Sequence, residues 1–456
     1  MIPNAVLETI NAHRQRYLDD LLDFLRIPSI STYSQNSPDI RNAAEWVLRQ
    51  LKRLGFHASL RETERHPIIY GEMINDPSAP TLLVYGHYDV QPPEPLEEWT
   101  SPPFQPSLRE GFVYARGATD DKGQFLTHLK AMEAIMEVEG KLPLNVKLLV
   151  EGEEEIASPS LKPYLEKHRL ELGADAAVIS DGSQFSSGIP AITYGLRGLT
   201  YFQVDVTGPR IDLHSGVFGG IVANPIQTVT QILARTKNED GTIAIPGFYD
   251  DVIPLEEWER NEMASLPLDE ESLKDYLGVG ELTGEKGYSI LERKTARPTL
   301  DINGIWGGFS GEGAKTVIPS RAGAKVSMRL VPNQKPAHIE RLFRDFVMSL
   351  TPKDVKIQIT TMHSAEPVLI GRDKPGILAA ERAIEIGFGK RPVYLREGGS
   401  IPVVNWFKET LGIQTILLLG WGSPDDGAHS PNERFRLEDF QRGIRAAAAL
   451  MYENLI

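Results

Sequence analysis

The stretch Thr81–Val90, Thr-Leu-Leu-Val-Tyr-Gly-His-Tyr-Asp-Val, decides the fold class of this chain. Its first half is a short apolar run, which predicts a buried strand over Thr81–Tyr85, and polar residues follow that strand at once. His87 and Asp89 are two residues apart, so on an extended chain their side chains face the same side. In α/β sheets, ligands bind beyond the carboxyl ends of the strands, where this pair is placed. A hydrogen-bonded pair that merely closes a strand end accounts for the motif equally well.

The sequence on either side of this strand alternates helical and strand patterns, which predicts a mixed α/β sheet with helices on both faces. Helices are predicted over 1–26, 42–54, 122–138, 374–388 and 437–453, and further strands over 146–150, 174–179 and 414–419. The first helix is amphipathic and carries charges throughout, unlike the unbroken apolar stretch of a signal peptide. No apolar run approaches the ~20 residues that a transmembrane helix needs. We therefore predict a cytoplasmic protein without a membrane partner.

The middle of the chain has a different pattern and is predicted to form a separate α+β domain. It combines strands over 200–206, 324–330 and 355–361 with helices over 224–236 and 335–350. Between them lies 240–297, an acidic, helix-prone segment that resembles an insertion and whose role the sequence does not indicate. We therefore expect a discontinuous α/β domain over residues 1–192 and 364–456, interrupted by an α+β domain over residues 193–363.

The composition limits the chemistry and the partners that this chain can have. Of its 456 residues, 62 are acidic and 48 are Lys or Arg, which gives a formal net charge of −14. Such an acidic surface argues against nucleic acid or an anionic membrane as a general partner, and it attracts cations. The chain has no cysteine, so disulfides, thiolate catalysis and Cys-ligated zinc are excluded. Any metal ion must therefore be held by nitrogen and oxygen ligands.

Four further polar motifs lie next to predicted strands or helices. They are Arg116–Gly123, which leads into the helix at 122, Glu151–Glu155 after the strand 146–150, Ser180–Gly182 after 174–179, and Gly427–Glu433 after 414–419. Either Asp120 or Asp121 could be simply the N-cap of this helix, with no further role. Alternatively, the two carboxylates bind cations, and one of them shares its oxygens between two ions. The acidic run after 146–150 is harder to explain as a solvated surface, because adjacent like charges beside a buried strand repel unless cations offset them.

Together, the five motifs place a His, an Asp, a Glu, a second Asp and a distant His at the ends of the sheet. Such a set can bind two metal ions about 3.5–4 Å apart, which would hold and activate a hydrolytic water. A neighbouring glutamate would then act as the general base. The pattern therefore favours a metal-dependent hydrolase over a purely structural explanation.

The same motifs resemble those of a family of two-metal dipeptidases and deacylases that includes carnosinase, aminoacylase, succinyl-diaminopimelate desuccinylase and carboxypeptidase G. The resemblance runs nearly end to end and is strongest to the carnosinase-like dipeptidase branch. Beyond the motifs above, it rests on Asp212–Gly220 (DLHSGVFGG), Lys315–Pro319 (KTVIP), Arg329–Pro332 (RLVP) and Arg396–Pro402 (REGGSIP). It implies an α/β fold: a mixed-sheet zinc-peptidase catalytic domain with an inserted α+β lid and dimerisation domain.

By this resemblance, two divalent metal ions are held per subunit, with zinc favoured and manganese or cobalt as alternatives. One ion takes His87, Asp120 and Asp181, and the other takes Asp120, Glu155 and His429, so that Asp120 bridges them. Glu154 would be the general base, and Asp89 would orient the imidazole of His87.

Residues of the middle block are implied to contact the substrate, a dipeptide or a related small amide. His214 would reach the site of the partner subunit in a homodimer and stabilise the tetrahedral oxyanion. Arg329 would bind the substrate's terminal carboxylate, for which its planar guanidinium suits bidentate contact. Thr316 and Ser400 match further substrate contacts.

Several alternatives remain open from the sequence. Glu153 would be the base if the acidic run aligned one residue differently, and Ala157 stands where relatives commonly carry glycine. The same amide chemistry would serve an N-acyl-amino-acid deacylase or desuccinylase. A non-catalytic binding protein is a more distant alternative, because no ligand or base is missing from the motifs.

Overall fold

The chain divides into two units in a computed structural model that describes residues 2–399 and 401–456. The first unit comprises Met1–Tyr194, Ile370–Leu395 and Val403–Ile456, and the second comprises Gly195–Leu369 and Arg396–Pro402. The first unit is therefore assembled from segments that flank the second in the sequence. The short return of Arg396–Pro402 to the second unit has no counterpart in the sequence pattern.

The strands and helices are numbered along the whole chain. The strands are β1 His57–Arg61, β2 Ile68–Met73, β3 Thr81–His87, β4 Ser107–Arg109, β5 Phe112–Tyr114, β6 Asn145–Glu151, β7 Ala176–Ile179, β8 Ala191–Leu196, β9 Gly198–Thr207, β10 Leu213–His214, β11 Thr299–Gly307, β12 Val317–Ile318, β13 Arg321–Leu330, β14 Lys356–Ala365, β15 Val368–Leu369, β16 Val393–Glu397, β17 Thr415–Gly420 and β18 Arg434–Arg436. The helices are α1 Asn4–Ala12, α2 Arg14–Leu25, α3 Ser37–Arg53, α4 Lys122–Glu139, α5 Leu161–His168, α6 Ser215–Phe218, α7 Pro225–Ala234, α8 Glu257–Ser265, α9 Glu270–Leu277, α10 Ile290–Thr295, α11 Pro336–Ser349, α12 Pro375–Phe388, α13 Pro402–Thr410 and α14 Leu437–Leu450.

The large mixed sheet of the first unit has the strand order β1-β2-β6-β3-β7-β17-β8. Its central strands β6, β3, β7 and β17 run parallel, whereas β2 and β8 pair antiparallel with β6 and β17. Strands β3, β6 and β7 are buried almost throughout, as expected for parallel strands covered on both faces. Because these strands run in the same direction, the residues that follow them meet at one edge of the sheet.

The predicted elements of the first unit agree with the structure in type and order, with one difference near the N-terminus. The strand predicted over Thr81–Tyr85 continues to His87. The single helix predicted over 1–26 is instead the pair α1 and α2, which meet at His13 with φ −95° and ψ 11°. Each of the two helices buries apolar residues at helical spacing. The sequence therefore shows the pattern of one continuous helix, although the helix is interrupted at His13.

The second unit is built on a four-stranded antiparallel sheet in the order β11-β13-β9-β14. One face packs with α7 and α11 around a core that includes Phe202, Val326 and Phe343. Strand β11 was not predicted, because its apolar alternation ends after Ile302 at Asn303 and Gly304 and most of its residues are exposed. Within the described part of the chain, no helix has the length and apolar character to cross a lipid bilayer.

Candidate metal centre

Three parallel strands of the large sheet end beside one another and carry the first candidate ligands. β3 ends at His87, the turn after β6 carries Glu155, and Asp181 follows β7 by two residues. Asp120 lies on the loop that leads into α4, and His429 lies on the loop after β17 with a φ of 64°. The structure thus brings together, within the first unit, five residues that are far apart in the sequence.

The carboxylate of Asp120 faces two histidines at once. Its Oδ1 lies 3.2 Å from Nε2 of His87, and its Oδ2 lies 2.8 Å from Nε2 of His429. Oδ2 of Asp181 is 3.7 Å from Nε2 of His87, and Oε2 of Glu155 is 3.3 Å from Nε2 of His429. The side chains therefore form two groups of three potential metal ligands that share one carboxylate, and within each group the ligand atoms lie within 4.8 Å of one another.

The carboxylate of Asp89 is fully buried and joins two parts of the site. Nδ1 of His87 lies 3.1 Å from the backbone carbonyl oxygen of Asp89 and 3.4 Å from its Oδ1. The same carboxylate accepts the backbone N–H groups of Glu154 at 3.3 Å and of Glu155 at 3.1 Å. With its proton on Nδ1, His87 presents the lone pair of Nε2 to the other carboxylates of the site.

The three consecutive glutamates after β6 have different surroundings. Glu153 is buried, and its Oε1 accepts hydrogen bonds from His66 N–H at 2.8 Å and from the Ser160 hydroxyl at 2.9 Å. Its Oε2 accepts the Ser160 N–H at 2.9 Å, and the Thr63 hydroxyl is a further donor to Oε1 at 3.2 Å. Glu154 is half-buried, and burial raises the pKa of its carboxyl group well above the usual value. Glu153 is thus held by four donors that belong to the scaffold.

Two side chains that the sequence analysis did not assign hold the loops that carry the ligands. Buried Glu433 accepts hydrogen bonds from Arg116 Nη1 at 2.8 Å and from the backbone N–H groups of Gly117 at 2.9 Å, Thr119 at 2.9 Å and Asp120 at 3.1 Å. Gln91 donates from Nε2 to Oε2 of Glu155 at 2.8 Å. In the sequence, Glu433 is the last residue of the polar motif Gly427–Glu433. Its position four residues after His429 was the one signal that could have singled it out.

The close carboxylates and imidazoles shift one another's protonation. Burial raises the pKa of Asp181 to about 7, and the nearby charge of Asp120 adds to this effect. Hydrogen bonds to Asp120 and Glu155 raise the pKa of His429 to about 10. Burial lowers the pKa of His87, but the nearby carboxylates of Asp120, Asp89 and Asp181 outweigh it, so the pKa is raised well above its usual value. Acidic groups gathered in this way are characteristic of a site that binds positive charge.

The donor set fits divalent cations. Nε2 of His87 is buried and has no hydrogen-bond partner within the described residues, although carboxylate oxygens of Asp120 and Asp181 face it. A cation bound between them would satisfy the imidazole nitrogen and offset the repulsion between the carboxylates. Imidazole and carboxylate ligands suit zinc, manganese or cobalt.

The other predicted site residues belong to the second unit. His214 is exposed at the start of α6, and the pairing of β10 with β12 brings Thr316 beside it. The N–H of Ser215 donates to the carbonyl oxygen of Thr316 at 3.1 Å. Arg329 is half-buried on β13. Ser400 lies outside the described residues.

Comparison with known proteins identifies the family. Residues 83–453 match peptidase family M20/M25/M40. The chain belongs to this family. It is 35% identical to the Cys-Gly metallodipeptidase dug1 of Schizosaccharomyces pombe, in an alignment that covers 99% of this chain and 98% of that protein.

Solved structures of the M20 family have the same fold as this chain. Human carnosine dipeptidase 1 superposes with a TM-score of 0.80 at 32% identity, and the match covers 99% of both chains. The M20 family metallo-carboxypeptidase Sso-CP2 from Sulfolobus solfataricus gives a TM-score of 0.83 at 33% identity, covering 95% of this chain and 98% of that one. The predicted mixed α/β fold and the resemblance to the carnosinase-like branch are confirmed. As an M20 peptidase, the chain is a metallohydrolase that cleaves peptide bonds and uses divalent metal ions.

Proposed function

We propose that this chain is a dipeptidase in which two divalent cations are held around Asp120. The observation that carries the proposal is the shared carboxylate, whose two oxygens face His87 and His429 separately. Asp181 would complete the site of His87, and Glu155 would complete the site of His429. Cations held there would polarise the scissile carbonyl and lower the pKa of the attacking water. Zinc is the proposed ion, with manganese or cobalt as alternatives that elemental analysis of the purified enzyme distinguishes.

Glu154 is the proposed general base. Glu153 is engaged by four scaffold donors, and Glu155 faces His429 within a ligand group, so Glu154 is the carboxylate of this run without either task. It would accept a proton from the attacking water and deliver it to the leaving amine. Burial, the largest cause of its raised pKa, favours the protonated carboxyl group, as suits a group that must hold a proton between these two steps.

The substrate contacts are assigned to the second unit. Nδ1 of His214 accepts the N–H of Gly216 at 3.0 Å, so the neutral imidazole carries its proton on Nε2 and can donate it in a hydrogen bond to an oxyanion. The guanidinium of Arg329 would bind the terminal carboxylate of the dipeptide. Thr316 and Ser400 would provide further polar contacts.

We also propose a homodimer, formed through the second unit, in which His214 serves the partner's site. β11 is an edge strand and carries the exposed apolar side chains of Ile302, Ile305 and Trp306. Val217, close to His214 in the sequence, is exposed as well. Apolar side chains on an open strand edge favour coverage by another chain, and a second copy is the proposed occupant. The proposed location is the cytoplasm, which cell fractionation would test.

A substrate panel tests the proposed activity. The metal-free enzyme, restored with Zn(II) or Mn(II), is offered Cys-Gly, carnosine, N-acetyl and N-succinyl amino acids, and a longer peptide with a blocked N-terminus. The Schizosaccharomyces and human relatives motivate the first two substrates, and the Sulfolobus metallo-carboxypeptidase motivates the last. We expect hydrolysis of the free dipeptides. Preference for N-acyl amino acids would favour a deacylase, and no hydrolysis with any metal would overturn the proposal.

Mixed dimers test whether His214 acts across subunits. Glu154→Gln removes the base from its own subunit but leaves that subunit's His214 intact, whereas His214→Ala leaves its own base intact. If His214 acts in the partner's site, a mixture of the two inactive variants regains activity, because one of the two sites in each mixed dimer is then complete. Continued inactivity of a mixture that contains mixed dimers would show that His214 serves its own subunit.

A further inference from the structure

The segment Arg396–Gly399 is held by residues of 240–297, the acidic stretch to which the sequence assigned no role. Arg396–Pro402 belongs to the second unit, whereas the residues on either side of it belong to the first. This segment leads directly to Ser400, which the proposed function assigns to substrate contact. The contacts that fix its backbone therefore bear on substrate binding.

The first contact is an ion pair between Glu259 of α8 and Arg396 of β16. Oε1 of Glu259 accepts a hydrogen bond from Nη2 of Arg396, and the two side chains are only 4% and 5% exposed. The other oxygen, Oε2, accepts the N–H of Glu256 at 2.9 Å as part of the capping box of α8. One carboxylate thus joins the start of α8 to Arg396. Removal of either partner breaks this buried ion pair and leaves the other side chain without this counter-charge.

The second contact runs through Arg197. Its Nε donates to the carbonyl oxygen of Gly398 at 3.1 Å, and its Nη1 donates to the carbonyl oxygen of Arg297 at 3.4 Å. Arg297 is fixed in turn by two hydrogen bonds to Glu285, at 2.9 and 2.5 Å, and its guanidinium lies 4.2 Å from the ring centre of Tyr288. The end of the 240–297 stretch therefore meets the segment at a second point.

The backbone at Gly398 is enclosed by these contacts. A Cβ atom placed on Gly398 would lie 3.0 Å from the carbonyl oxygen of Lys294 and 3.0 Å from Nη2 of Arg197. We propose that Glu259 is a positioning residue for substrate binding, acting through Arg396 on the backbone that leads to Ser400. The proposal rests on the proposed function, in which Ser400 of this segment contacts the dipeptide.

The test compares KM with kcat for the best dipeptide of the panel. Glu259→Gln should raise KM about tenfold and leave kcat within about twofold, because the reacting groups stay in place while a substrate contact shifts. In an Arg396→Met background, Glu259→Gln should raise KM little further, because both substitutions break the same Glu259–Arg396 interaction. The matched control is Glu271→Gln, which alters an exposed glutamate of the same stretch that pairs with Lys274 three residues away.

The outcomes separate this proposal from the proposed function. Wild-type hydrolysis is established first, so an inactive wild-type enzyme counts against the function and not against Glu259. An unchanged KM in a folded Glu259→Gln enzyme, or a rise in KM that persists in full in the Arg396→Met background, overturns the proposal. If Glu259→Gln does not fold, Glu285→Gln, which weakens the second contact, is read out in the same way. A tenfold rise in KM then supports the positioning role of the stretch, and an unchanged KM overturns it.

Discussion

The buried carboxylate of Glu433 accepts the backbone N–H of Asp120 at 3.1 Å. It also accepts the N–H groups of Gly117 and Thr119, so the loop before α4 is closed around one side chain. Because Glu433 follows His429 by four residues, this contact ties together the loops of two candidate ligands. We expect Glu433→Gln to lower metal affinity about 10- to 100-fold, since it disturbs a ligand without removing one. Competition with a chelating dye measures the affinity.

The control for this prediction is Glu438→Gln. Glu438 is exposed on α14 and pairs with Arg442 at 2.9 Å, one helical turn along the same helix. This variant should bind metal as the wild type does. Wild-type affinity in a folded Glu433→Gln protein would show that the loop keeps its shape without the carboxylate.

Substitution of the adjacent glutamates separates the base from the scaffold. Glu154→Gln should lower kcat about 10²- to 10⁴-fold while the metal content stays near that of the wild type. Glu153→Gln should instead lower the free energy of unfolding by about 1–3 kcal/mol, because buried donors lose their acceptor, and it should change kcat little. Steady-state kinetics, elemental analysis and urea unfolding of both variants give the answer. The opposite pattern would assign the base to Glu153.

The turn after Glu155 contains a residue in an unfavourable backbone conformation. Ala157 has φ 69° and ψ 29°, in the left-handed region where glycine is free of steric cost. Ala157→Gly should therefore raise the free energy of unfolding by about 0.5–1 kcal/mol, after the greater flexibility of glycine in the unfolded chain is counted. Urea unfolding of the metal-free protein measures the change. Exposed Gly280→Ala, at an open position without positive φ, is the reference substitution. A less stable Ala157→Gly protein would contradict the prediction.

The candidate ligands could be predicted because each motif has a local signal. The strands β3, β6 and β7 are predicted by their predominantly apolar sequences. Parallel strands that are covered on both faces of a sheet typically have such sequences. Polar residues directly after such strands are then expected at one edge of the sheet. The supporting carboxylate of Glu433 has no such signal, because its partners are backbone N–H groups that lie more than 300 residues away in the sequence. The sequence likewise does not show which of Glu153 and Glu154 is the base, because the hydrogen-bond donors that engage Glu153 come from other segments.

The strands that the sequence pattern does not predict include buried and exposed ones. β2 and β8 are largely buried, but each contains a glycine, Gly71 or Gly195, which weakens the strand signal. β11 is mostly exposed, and its apolar alternation is short, because it stops after Ile302 at Asn303 and Gly304.

Glu259 of the 240–297 stretch pairs with Arg396, 137 residues further along the chain. Arg197 donates to the carbonyl oxygens of both Arg297 and Gly398. Hydrophobic periodicity carries no information about such pairs.

The buried imidazole of His128 should make stability depend on pH. His128 lies in α4, its Nε2 is 2.8 Å from Oγ of Ser180, and burial lowers its pKa to about 4. Between pH 6.5 and pH 4 the unfolded chain therefore binds a proton that the folded chain does not, so stability is complete above pH 6.5 and is lost as the pH falls. The loss should approach about 3 kcal/mol at pH 4.

Urea unfolding of the metal-free wild type and of His128→Gln across this range measures the contribution of this residue, as the difference in the free energy of unfolding between the two proteins. Because burial and not a charged partner lowers the pKa, about 0.5 M NaCl should leave that difference unchanged. A difference that does not vary with pH would show that His128 titrates alike in the folded and unfolded chains.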